Sequence, residues 1–428
     1  MTPPVVLLVF LTLVALHAAV EIWLARRHIA HVAARRSSVP ESFRSAISEA
    51  AHAKAADYTC AKQRFRMLQF GLGLLLLLVW TIGGGLEALN RLLLDFFGGD
   101  FSANGRLAYQ VALVFAFSLI GGLIELPFDW YANFRIEERF GFNRMTIRLW
   151  LGDLLKNLLV STLIGLPLIA IVLWLMGMAG ATWWLWAWGF WVTFNLVLMV
   201  IYPLFIAPLF NEFKPLEDET LAARVKALMD RCGFSAKGLF VMDGSKRSAQ
   251  SNAYFTGLGR AKRVVFYDTL LARLSPGEVE AVLAHELGHF HHKHIIKMIV
   301  QIFAMSLLGL AALGWLAEQP AFFLGLGVTP NTTAPNDALA LLLFLLVLRS
   351  ATFFITPLGS LASRRHEFEA DAYARTHASA DALASALVKL TEDNAVTLTP
   401  DPLYVRFHYS HPPMIERLAA LRALPAPA

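Results

Sequence analysis

Seven apolar runs, each long enough to cross a bilayer, divide this chain and leave it few possible folds. Hydrocarbon offers no partner for a backbone N–H or C=O, so each run has to become a helix. The runs cover residues 5–25, 67–89, 107–128, 154–176, 182–204, 295–316 and 339–361. Trp183, Trp184, Trp186 and Trp188 open the fifth as an interfacial aromatic belt. Charged residues make up only 16% of the 428 positions and hydrophobic ones 57%, which excludes an ordinary soluble domain. The predicted fold class is an all-α polytopic membrane protein of about seven transmembrane helices, with a small α+β piece between the fifth and sixth.

The loops set an orientation. Arg26, Arg27, Arg35, Arg36 and Arg44 follow the first run, and Arg135, Arg139, Arg144 and Arg148 follow the third. The alternate loops are poor in Lys and Arg. The positive-inside rule then puts the N-terminus outside and the C-terminus in the cytoplasm. The net charge of +5 reflects this bias. No basic run is interleaved with aromatics, so no nucleic-acid partner is expected. Cys60 and Cys232 lie far apart without metal-binding spacing, and no disulfide is expected. Arg26-Arg27 follows the first run and no charged segment precedes it, so that run reads as a retained anchor. The chain divides into spans one to five (1–207), a cytoplasmic portion (208–294), spans six and seven (295–361), and a cytoplasmic C-terminal portion (362–428).

The chemistry is concentrated at His285-Glu286-Leu287-Gly288-His289. On a helix the two His lie one turn apart and converge on one cation. Two imidazoles suit Zn²⁺, and Glu286 is placed to act on the attacking water. Ser275-Pro276-Gly277-Glu278 supplies an N-cap, a Pro in the first turn and a capping-box Glu. The metzincin pattern fails, because its Gly and third His positions hold His292 and Ile295. A carboxylate from another helix is the other solution. Glu367 and Asp371 share one helical face just after the seventh run, with Glu367 as third ligand and Asp371 orienting a ligand His. Glu369 points elsewhere, toward the surface or an ion pair. His291, His292 and His294 read as a solvated or interfacial segment, with His292 an alternative ligand. A helix is expected over 216–231, and strands over 238–243, 253–256 and 262–268. Such a sheet offers an edge to an extended peptide.

Further stretches carry a resemblance. They are 134–143 (Phe-Arg-Ile-Glu-Glu-Arg-Phe-Gly-Phe-Asn), 208–215 (Pro-Leu-Phe-Asn-Glu-Phe-Lys-Pro), 251–257 (Ser-Asn-Ala-Tyr-Phe-Thr-Gly), 285–289, 364–371 and 408–417. From about the third run onward the chain resembles the type I CAAX prenyl proteases, integral-membrane zinc metalloproteases also called a-factor-converting enzymes. The resemblance implies one Zn²⁺ on His285, His289 and Glu367, with Glu286 activating water. It implies that Asn252 holds substrate backbone, and that His411 and Arg417 line the site and help stabilise the oxyanion. It also implies a water-filled chamber within the helices. Glu125, Asp129, Asn195 and Arg349 lie in or near the spans, as a polar interior would require. The implied substrates are prenylated or other peptides that lose C-terminal residues. The Ala- and Arg-rich composition points to a bacterial inner membrane, where the substrate need not be prenylated. A membrane quality-control protease would use the same site. A scaffold or transporter with structural zinc would need a closed shell of ligands, often with Cys, and no cysteine lies near the motif.

Overall fold

The computed structural model describes residues 1–98, 103–235, 238–256 and 263–423. Gly257, Lys262 and the tail beyond Ala423, expected to fray, lie outside the described residues. Among the described residues, six helices are long and apolar enough to span a membrane, or seven with one bent pair. The first, Pro3–Ala34, has 32 residues, about 48 Å at 1.5 Å per residue, so its polar end with Arg26 and Arg27 projects beyond a hydrocarbon core of about 30 Å. The others include Ala103–Tyr131, Ile147–Met178, Trp183–Ile201 and His294–Ala317.

The second run is not the continuous helix expected over 67–89. Glu49–Trp80 ends, and Gly85–Phe96 leaves at 52° to it. Gly84 takes φ +77°, and a Cβ on Gly85 would lie 2.8 Å from the Val79 carbonyl oxygen. Only glycine fits such a turn, and average hydropathy does not register it. The seventh run becomes helix Asp337–Thr352, a short 3₁₀ turn, and helix Thr356–His377. This continuation carries Glu367 beyond the apolar run.

Among the spans the usual burial pattern is reversed. Leu163 is 77% exposed, while His17 is buried and hydrogen-bonds Ser350 at 3.2 Å. A cavity of about 620 Å³ between the helices is lined by Glu21, Arg66, Glu125, Asp129 and Arg349. Asn195 instead donates to the carbonyl of Trp191 on its own helix at 2.7 Å.

Four strands form the sheet: β1 (Phe213–Pro215), β2 (Leu239–Met242), β3 (Ala253–Thr256) and β4 (Arg263–Tyr267), in the order β1-β2-β4-β3. β2 and β4 run parallel, and the outer pairs are antiparallel. β1 is not foreseen by the sequence, since three residues ending in proline carry no strand pattern. The sheet packs with helices Glu219–Arg231, Pro276–His291 and Ala380–Asp393 around Val225, Leu228, Phe266, Leu283, Leu287 and Ala386. The amphipathic helix starts at Glu219 rather than 216, because the Asp218 carboxylate caps it by accepting from the Leu221 amide at 2.9 Å.

Candidate metal centre

The motif helix, Pro276–His291, begins with the capping box its sequence predicts. The Ser275 amide donates to Glu278 at 2.7 Å. Glu278 also accepts from Ser385 at 2.6 Å and from Lys389 at 2.8 Å, tying the helix to its neighbour Ala380–Asp393. Burial alone would raise the Glu278 pKa, yet the Lys389 ammonium, the Ser385 hydroxyl and Ser275 hold it down to about 2.

Gly288 sets how the site closes. A Cβ there would lie 2.8 Å from Cα of Ala370 and 3.1 Å from Cβ of Tyr373. The motif helix therefore touches helix Thr356–His377 backbone to backbone, which brings Glu367 opposite the two histidines. Glu367 Oε2 lies 3.6 Å from His285 Nε2, and Glu367 Oε1 lies 3.4 Å from His289 Nε2. The two Nε2 atoms are 3.3 Å apart. All three potential ligand atoms fall within 4.8 Å of one another. Glu367 Oε2 is buried and accepts no hydrogen bond, with Arg417 Nη1 3.3 Å away as an ion pair, so it keeps lone-pair capacity for a cation. Two imidazole nitrogens and a carboxylate oxygen are a donor set that fits zinc. Among the described residues the cluster has three ligands and no cysteine, the count of an open centre rather than a closed structural one. His292 is not in the cluster. It caps the helix end with its ring 5.5 Å from that of His294.

Each of the two motif histidines is held from behind. His285 Nδ1 lies 2.8 Å from Asp371. Asp371 also accepts from Arg417, whose Nη1 is 3.3 Å from Glu367. Arg417 is buried. His289 Nδ1 lies 3.0 Å from His294 Nδ1, and His294 Nε2 lies 2.8 Å from Glu369. His294 is thus buried behind the site rather than solvated. No sequence signal points to it. Its place depends on Lys293, whose left-handed backbone (φ +57°) ends one helix and starts the next.

Glu286, Asn252, His411 and Arg417 line one cavity of about 640 Å³ with the histidines and Glu367. Burial pushes the Glu286 pKa up, while the charges of His285 and His289 oppose the shift. His411 is exposed, with Nε2 3.4 Å from Glu367. Asn252 is exposed, directly before β3 at the sheet edge, and its carbonyl accepts from Tyr267 at 3.0 Å. Leu270, Val282, Leu383, Leu387, Val396 and Met414 give the cavity an apolar side. His408 lines both this cavity and the polar one among the spans.

Known proteins share this organisation. Residues 28–212 match the family described as CAAX prenyl protease N-terminal, five membrane helices, and residues 215–425 match peptidase family M48. The chain is 35% identical over 330 residues to CAAX prenyl protease 1 homolog of Oryza sativa subsp. japonica, covering 76% of this chain and 77% of that protein. It is 36% identical over 333 residues to CAAX prenyl protease 1 of Saccharomyces cerevisiae, covering 75% and 74%. The crystal structure of S. mikatae Ste24p superposes with a TM-score of 0.89 at 30% identity, over 97% of this chain and 99% of that one.

Proposed function

This chain belongs to peptidase family M48, in the branch with the CAAX prenyl protease membrane domain, and from that premise we propose that it hydrolyses peptide substrates of the prenylated CAAX type at one zinc ion held by His285, His289 and Glu367. The observation that carries the proposal is the cluster of His285, His289 and Glu367, beside Glu286 on the wall of one cavity.

When bound, zinc supplies a Lewis acid that polarises the scissile carbonyl and acidifies the attacking water. Glu286 accepts the water proton and delivers it to the leaving amine nitrogen. Asp371 holds the His285 ring through Nδ1, and Arg417 holds Asp371. His411, exposed on the cavity wall, donates to the oxyanion, and buried Arg417 adds positive charge beside it. Asn252 and the free edge of β3 bind the substrate backbone as an added strand.

The protein is a multi-pass integral membrane protein. We assign the N-terminus to the outside, and the site (208–294 with 362–428) to the cytoplasmic side of a bacterial inner membrane. The loop arginines support the orientation, and the Ala- and Arg-rich composition supports the source. The test is hydrolysis of a farnesylated C-terminal peptide and its unprenylated twin by the purified protein. Cleavage of the farnesylated peptide is expected to be the faster. Equal cleavage of both would replace the prenyl-directed role with broader quality control. Cleavage of neither by zinc-loaded protein would overturn the substrate class.

A further inference from the structure

We infer that His294 is a positioning residue of the metal centre, fixing the tautomer of His289 from behind, with Glu369 closing the relay. The inference rests on the metal-centre reading above. A histidine that ligates through Nε2 carries its proton on Nδ1, and that proton needs an acceptor. For His285 the acceptor is Asp371 at 2.8 Å. For His289 the atom facing Nδ1 is His294 Nδ1, at 3.0 Å. Two imidazole nitrogens at that distance share one proton, so one donates and the other accepts. If His289 is to leave Nε2 free, it donates and His294 accepts. The proton of His294 then lies on Nε2, where the Glu369 carboxylate receives it at 2.8 Å. Any other placement protonates the ligand nitrogen of His289 or sets two N–H groups face to face. The two ligand histidines thus have unequal supports: a carboxylate directly behind His285, and an imidazole between His289 and its carboxylate.

The backbone is built for this contact. In an unbroken helix, residues five apart point about 140° away from each other and their side chains diverge. Lys293, in the left-handed region at φ +57°, breaks the helix and turns His294 back onto His289. His294 is 4% exposed, and its ring is stacked on His366 at 3.9 Å and 14°, which stops it from turning. It stands behind His289 rather than on the cavity wall, so it does not meet substrate.

The test is zinc affinity of the metal-stripped, detergent-solubilised full chain, by competition with a chromophoric chelator. The variants are His294→Phe, which keeps a ring but no acceptor, and His294→Gln, whose amide can accept from His289 and donate to Glu369. His294→Phe should weaken zinc binding about 10- to 100-fold, and His294→Gln should recover most of the loss. Wild-type affinity in His294→Phe, or equal losses in both variants, would overturn the inference. If His294→Phe does not fold, Glu369→Ala at the exposed end of the relay carries the test. It should weaken binding about threefold or more, and unchanged affinity would overturn the relay. Failure of the wild-type chain to bind zinc would instead overturn the metal-centre reading, and the inference with it.

Discussion

Around the sheet, the side chains packed away from solvent are Val225, Leu228, Phe266 and Leu287, and charged pairs such as Arg224–Glu280 lie outside. Among the membrane helices Leu163 faces outward at 77% exposure, while Glu125, Asp129 and Arg349 face an internal cavity. Both regions obey one rule in two solvents. Where water is outside, apolar groups go in. Where hydrocarbon is outside, polar groups have to find each other or enclosed water. The candidate metal cluster lies where the two regions meet, and His408 borders the cavities of both. A peptidase needs this arrangement if it is to bring water to a bond presented at a membrane.

The contrast can be broken by substitution, read as thermal unfolding in detergent and as insertion in vesicles. Leu287→Ala, at a site 2% exposed between the motif helix and its neighbours, should cost about 2–5 kcal/mol. A loss below about 1 kcal/mol would mean that this core is not packed as described. Leu163→Asp, at the midpoint of a spanning helix, should cost about 3–4 kcal/mol of insertion free energy despite its exposure. A neutral result there would place that face in water. Gly288→Ala should cost about 1–3 kcal/mol and weaken zinc binding, because the added methyl forces the two site helices apart. Normal stability with normal zinc content would mean that the two helices do not cross backbone to backbone at Gly288.

Much of this is legible in the sequence, for identifiable reasons. The motif helix announces itself through Ser275, Pro276 and Glu278, and β3 lies over 253–256 as its residue pattern predicts. Glu367 and Asp371 stand out because a three-ligand zinc site needs a carboxylate and helical spacing offers those two. What stays hidden depends on contacts between elements. Gly288 looks like a filler inside the motif until Ala370 is seen against it. His294 looks like one more histidine of a polar run until the left-handed Lys293 turns it back. Arg417 enters the sequence reading only through the resemblance, and what the sequence does not show is that its guanidinium bridges Asp371 and Glu367 inside the site. The break after Trp80 is hidden because Ile82 and the three residues after it, Gly83, Gly84 and Gly85, still average as apolar sequence with the leucines on either side.

The most direct test of the central claim compares the wild-type chain with Glu286→Gln for zinc content and peptide hydrolysis. About one zinc per chain is expected in both proteins, with hydrolysis in Glu286→Gln reduced about 10²- to 10⁴-fold, since the role proposed for Glu286 is to move the proton and not to hold the metal. Substantial hydrolysis by zinc-loaded Glu286→Gln would contradict it.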